Sequence, residues 1–269
     1  MQSLSQEVPL WDPVKAFRYL SSLRRCRPDL AGSFTTNQFW SSPKLRRWSN
    51  SAESSLLVVK GNPQSRFALR DLCIDVTASL NSSKTPYLLA LRVPTGGNQG
   101  GAENVSTVEL LKYLTRQALQ LRGPSADIKN TTTLPTEKSM ALSCARFHSA
   151  VTETEWFQVL ETVLEDVPGT VYVMIELEIV HRGLVGSPET NFSLFAASTG
   201  LFTGLERRGL KSRVKVLLVT YSPENPLCAS GELSPEAVLP VRAMLTSVRR
   251  RNGRGGGQGK SNRSNILCK

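Results

Sequence analysis

Four short apolar runs, each followed by a stretch with helical periodicity, constrain this chain more than anything else in it. Ser55-Leu-Leu-Val-Val-Lys60, Pro86-Tyr-Leu-Leu-Ala-Leu-Arg92, Val171-Tyr-Val-Met-Ile-Glu-Leu-Glu178 and Val214-Lys-Val-Leu-Leu-Val-Thr-Tyr221 are continuous rather than alternating. That is how strands buried on both faces read. Between them lie candidate helices. Phe67, Leu69, Leu72, Val76 and Leu80 recur mostly at three- and four-residue spacing. Ser106-Thr-Val-Glu109 and Thr152-Glu-Thr-Glu155 carry the capping-box pattern that opens a helix. The first leads into a helix through about Leu121, and the second into one whose apolar face is Trp156, Val159, Leu160, Val163 and Leu164. Further helices are predicted over 192–208, stopping at Gly209, and over Ala237 to about Arg250. Ser139–Cys144 reads as a short helix or strand after a polar loop near 123–138. Strand and helix alternating in this way predict an α/β fold, a mostly parallel sheet with helices on both faces.

Residues 1–50 form a polar, Arg-rich lead-in holding Trp11, Trp40 and Trp48. PVKAFRYLSSLRR within it is expected to form a short helix, and the remainder extended segments packing aromatic rings onto the main domain. The main domain is then 51–248, and 249–269 is a Gly-rich tail expected to be disordered. Seven basic residues and no acidic ones lie between Arg249 and Lys269, so the net charge of +11 falls to +4 over residues 1–248. Arg249, Arg250, Arg251 and Arg254 are accordingly the candidate nucleic-acid contacts, in an RGG-like segment with no aromatic residue to stack on bases. The five cysteines are scattered without a C-x-x-C pair, as expected of reduced thiols in a cytoplasmic protein, a nuclear one being the alternative. No apolar stretch reaches membrane-spanning length and no basic-then-apolar leader opens the chain, so neither a membrane partner nor secretion is expected. No G-x-S-x-G elbow or metal-spaced histidine pair points to a hydrolase or a metal site.

The first strand–turn–helix is where a phosphate loop, G-x-x-x-x-G-K-[ST], would sit. Its glycines let backbone N–H groups surround phosphates, its lysine meets the β- and γ-phosphates, and its hydroxyl holds Mg²⁺. The run here is Gly61-Asn-Pro-Gln-Ser-Arg66-Phe67-Ala68. The first glycine is present, while Arg66 stands for the second glycine, Phe67 for the lysine and Ala68 for the hydroxyl. Each exchange removes a separate contact on which phosphoryl transfer depends. Gly61 alone is equally at home as an ordinary turn glycine.

The run from Ser42 to Gly61, with Trp48 ahead of the first strand, resembles the entry to NACHT/STAND NTPase domains of filamentous fungi, most closely a group that has lost the phosphate-loop lysine. The resemblance continues through Val108–Gln117 and the third and fourth strands, covering roughly residues 40–225. It implies a P-loop NTPase-like fold. It also implies that Glu176 matches the Walker B acid, that Glu178 is a possible second acid, and that Thr220 sits at the polar sensor position. With the phosphate loop lost, it implies a non-catalytic pseudo-NTPase without a cofactor, acting on protein partners. The alternatives are a weak ATP- or GTP-binding NTPase using Mg²⁺, with Arg66 in place of the lysine and Glu176 as the acid, and nucleic-acid association through the tail.

Overall fold

The computed structural model describes residues 12–27, 36–93, 105–121, 145–180, 192–222 and 234–241. Its centre is a five-stranded, all-parallel sheet made of β1 (Ser55–Lys60), β2 (Tyr87–Ala90), β3 (Thr170–Glu176), β4 (Arg213–Thr220) and β5 (Val238–Pro240). The strand order is β2-β3-β4-β1-β5. The named helices are α1 (Pro13–Arg25), α2 (Thr36–Ser41), α3 (Pro43–Asn50), α4 (Arg66–Ser82), α5 (Thr107–Leu121), α6 (Glu153–Glu165) and α7 (Leu194–Arg207).

This strand order decides which helix lies on which face. From β1 the chain crosses past β4 and β3 to the far edge at β2, then steps back one strand at a time to β3 and β4. Right-handed crossovers in opposite directions must use opposite faces. Accordingly α4 packs on one face with α1–α3, around Leu57, Val59, Met174, Leu217 and Val219. Helices α5, α6 and α7 pack on the other, around Val58, Val173, Ile175, Val216 and Leu218. Alternate residues of each strand thus enter different cores, which is why the strands read as unbroken apolar runs.

Both capping boxes form as the sequence predicts. Glu109 accepts the Ser106 N–H at 2.8 Å, and the Ser106 hydroxyl accepts the Glu109 N–H at 3.1 Å. Thr152 and Glu155 make the same reciprocal pair at the start of α6. Helix α7 stops where Gly209 takes φ +60°, with the Leu210 N–H reaching back to the Leu205 carbonyl at 3.1 Å. A left-handed residue is the usual helix terminator and favours glycine.

Three expectations need correction. The lead-in is helical beyond α1, because α2 and α3 replace the expected extended segments and bury Phe39, Leu45 and Trp48 against α4 and the sheet. The third strand ends at Glu176, two residues early, and turns through a 3₁₀ segment at Leu177–Ile179. Where a helix is expected from Ala237 to about Arg250, the chain instead enters strand β5, which follows a 3₁₀ turn at Pro235–Ala237 and pairs with β1 from Val58 to Lys60; residues 242–250 of that expected helix lie outside the described residues. Lys44 of α3 fixes that turn, donating to the Pro235 and Val238 carbonyls at 2.5 and 2.8 Å. This long-range clamp has no local sequence signature. The segments 123–138, 139–144 and the tail 249–269 lie outside the described residues.

Candidate functional site at the carboxyl ends of the strands

In a parallel sheet all strands end on one side, and ligands of open α/β sheets bind there. Gly61 follows β1, Glu176 closes β3, Thr220 closes β4, and Arg92 lies just beyond β2. The structure therefore gathers Gly61, Glu176, Glu178 and Thr220 at one edge. β4 sits between the other two strands, pairing Thr220 with Lys60 and Val219 with Glu176.

Glu176 lies two residues beyond Met174, so strand alternation aims it at the α4 face. There it meets Arg70 of α4. The Arg70 Nε and Nη2 donate to Glu176 Oε1 at 2.9 and 2.8 Å, and the Tyr221 hydroxyl donates to the same oxygen at 3.0 Å. The other oxygen, Oε2, accepts the Arg92 N–H at 2.8 Å. Glu176 is 1% exposed. Burial alone would lower the Arg70 pKa, but the Glu176 charge and hydrogen bond outweigh it and hold the guanidinium firmly protonated. Burial, followed by the neighbouring Glu176 charge, drives the Tyr221 phenol upward, so it stays a donor.

Glu178 faces the end of β4. Its Oε1 accepts the Thr220 hydroxyl at 2.7 Å and the Tyr221 and Ser222 N–H groups at 2.8 and 2.9 Å. Burial pushes its carboxyl above the usual range, against the pull of those three bonds. Thr220, the predicted polar sensor, thus spends its hydroxyl on Glu178.

The turn after β1 is closed on itself. Gly61 gives its N–H to the Thr220 carbonyl at 2.8 Å. The Asn62 N–H donates to Ser65 Oγ at 2.8 Å, and the Ser65 N–H to Asn62 Oδ1 at 3.0 Å. Pro63 has no N–H to offer. A phosphate cradle needs such donors turned outward, and here the Gly61 N–H is spent on β4 and those of Asn62 and Ser65 within the 3₁₀ turn. Gly61 is needed for a different reason. A Cβ there would lie 2.2 Å from Ser65 Oγ and 2.7 Å from Leu69 Cδ1.

Arg66 does not join the acids. Its guanidinium stacks on the Phe67 ring, 4.4 Å from the centroid, while Arg27 covers the same ring at 4.3 Å. Phe67 therefore leaves the apolar face assigned to it from spacing, and Leu69, Leu72, Cys73, Val76 and Leu80 fill that face. Arg249, Arg250, Arg251 and Arg254 lie outside the described residues. Among the described residues no three His, Cys, Asp or Glu side chains are grouped to hold a metal ion, and no helix is long and apolar enough to cross a membrane.

Sequence reasoning missed Arg70 and Tyr221. The signal was present. Arg70 is a single charge in an otherwise buried helical stripe, and Glu176 a single charge at the end of an apolar strand. Two such charges of opposite sign call for each other, because neither is tolerable alone. Compared with known protein families the chain matches none, and no curated protein matches it.

Proposed function

We propose that this chain is a non-catalytic pseudo-NTPase, a P-loop-like α/β domain that serves as a protein-interaction or regulatory module. The observation that carries the reading is the engagement of Glu176 by Arg70, Tyr221 and the Arg92 N–H. The acid that would hold or orient a magnesium–nucleotide complex already has a resident cation and a partner on each oxygen. The closed turn at Gly61–Ser65 and the residues Phe67 and Ala68 support the same conclusion, since phosphoryl transfer is almost entirely positioning plus charge stabilisation. The resemblance to fungal NACHT/STAND domains supplies the regulatory half of the proposal. On this reading Arg66 has no role toward phosphate, and the partners are proteins.

Steady-state hydrolysis of ATP and GTP by the full chain tests it. The expected release of phosphate equals that of a Glu176→Gln variant and of the buffer. Turnover by the unmodified chain that disappears in Glu176→Gln would overturn the proposal.

A further inference from the structure

The two helical layers of this domain differ in charge. Helices α1–α4 hold nine Lys and Arg against two Asp, whereas α5–α7 hold three against six Glu. On the acidic side most of the charge is spent within the chain. Glu109 and Glu155 cap their own helices, and Glu161 and Glu165 meet Arg208 at 2.8 and 2.6 Å. On the basic side Arg70 meets Glu176, Arg24 pairs with Asp75, Arg47 meets Glu236, and Lys44 holds two carbonyls.

The cations left over are gathered in one place. Lys15, Arg18 and Arg25, with Ser22 between them, are exposed on α1 at spacings of three, four and three residues. That spacing keeps them on one side of the helix. At 1.5 Å of rise per residue the stripe is about 15 Å long. Its direction is set by packing, because Ala16 and Leu20 of the same helix are buried in the core. Beyond the end of α1, Arg27 and Arg66 add two more charges. Both guanidinium groups sit on the Phe67 ring, 4.3 and 4.4 Å from its centroid, and hence within about 9 Å of each other. Among the described residues none of these five cations forms an ion pair. Neighbours in the row lie within roughly one Debye length, so they repel one another and jointly attract an anion laid along them.

The surroundings of the stripe select among polyanions. A protein partner would need an apolar or aromatic centre, because interface cores are depleted of charge. The exposed apolar residue of α1 is Val14 alone, at 48%. A membrane-surface helix inserts its apolar face, and here that face is turned into the core. A phosphodiester backbone requires neither. It carries a charge on every linkage, and its oxygens match the planar guanidinium fork. We infer that the exposed stripe of α1, with Arg27 and Arg66, is a binding surface for the phosphate backbone of nucleic acid. The surface is separate from the buried acid Glu176, so it stands whether or not a nucleotide binds at the carboxyl ends of the strands.

The test follows binding of a labelled single-stranded RNA and a labelled DNA duplex to the full chain by fluorescence anisotropy at several salt concentrations. A stripe triple, Lys15→Gln with Arg18→Gln and Arg25→Gln, is compared with a control triple, Arg207→Gln with Lys211→Gln and Arg213→Gln. All six side chains are exposed, so both triples spare the core, change net charge equally and keep residues 249–269. The stripe triple should weaken binding about tenfold or more at ~0.1 M salt, and flatten the slope of log K against log salt by about 2–3. The control triple should change Kd by less than about twofold, its charges being screened from the stripe. Single strand and duplex share the phosphate chemistry, and the tighter of the two identifies the source. Equal losses in the two triples would trace binding to net charge and overturn the inference. A stripe triple that binds like the parent, or a parent that binds neither oligonucleotide at low salt, would overturn it as well. So would stripe-dependent binding of phosphatidylserine vesicles or polyglutamate that is tighter than that of both oligonucleotides.

Discussion

Two charges are buried to the same depth at opposite ends of this sheet, and they are treated in opposite ways. Glu176, at the carboxyl end of β3, and Lys215, near the start of β4, are each 1% exposed. Glu176 is met by a full opposite charge on Arg70, by a phenol and by a backbone N–H. Lys215 is met only by neutral oxygens, donating to the Trp48 carbonyl at the end of α3 and to Ser55 Oγ, both at 3.0 Å. Burial, and secondarily the positive charge of Arg213, drops the Lys215 pKa from an ordinary 10.5 to about 8, with Glu53 pulling weakly the other way. An ion pair keeps its charges by satisfying them, whereas an ammonium among dipoles is kept close to giving up its proton. The paired end is the carboxyl end of the strands, the side on which ligands of open parallel sheets bind.

The largest effect expected from breaking this contrast follows Arg70→Met. It leaves the Glu176 carboxylate buried without a counter-charge and should lower unfolding free energy by about 3–5 kcal/mol in a denaturant titration. Combining it with Glu176→Leu should recover most of that loss, because an apolar pair of similar volume replaces a buried ion pair at little net cost. If the double variant is as unstable as the single one, the pair is not the unit described here.

Lys215 sharpens the contrast through pH. Its folded pKa lies below its unfolded value. Under about pH 8 both states hold the proton and the penalty for burying the ammonium is fully present. Between about 8 and 10.5 the unfolded chain binds more protons than the folded one, so stability rises with pH in that window. Lys215→Met should abolish that rise. At neutral pH it should change stability by only about 1 kcal/mol, since the two lost hydrogen bonds offset the relief of desolvation. Equilibrium unfolding at several pH values reads both.

The sequence carried the strands and the caps because each is a local pattern, whereas which helix covers which face follows from the strand order. Apolar runs mark doubly covered strands, Ser/Thr-x-x-Glu marks helix starts, and Gly209 marks a stop. Strand β5 was illegible because three residues carry no periodicity. What makes Val238–Pro240 a strand is the edge of β1 and the clamp from Lys44, nearly two hundred residues away in the chain. The site was half legible. Glu176, Glu178, Thr220 and Gly61 do converge, yet what each does depends on partners that only the fold supplies. Arg66, the cation nearest in sequence to the turn after β1, stacks on Phe67. Arg70, one helical turn further on, reached the acid instead. The pairing rule for isolated buried charges would have found it, and the same rule applied to Lys215 would have flagged a charge with no opposite to meet.

The central claim is that the acid at the end of β3 is satisfied from within. Calorimetric titration of the full chain with ATP and GTP, with and without Mg²⁺, tests it most directly. The salt should be high enough to screen the seven cations of residues 249–269. The predicted result is no saturable heat that depends on Mg²⁺. Saturable, Mg²⁺-dependent binding that is lost in Glu176→Gln would show that Arg70 yields its place to a metal–nucleotide complex, and would contradict the account.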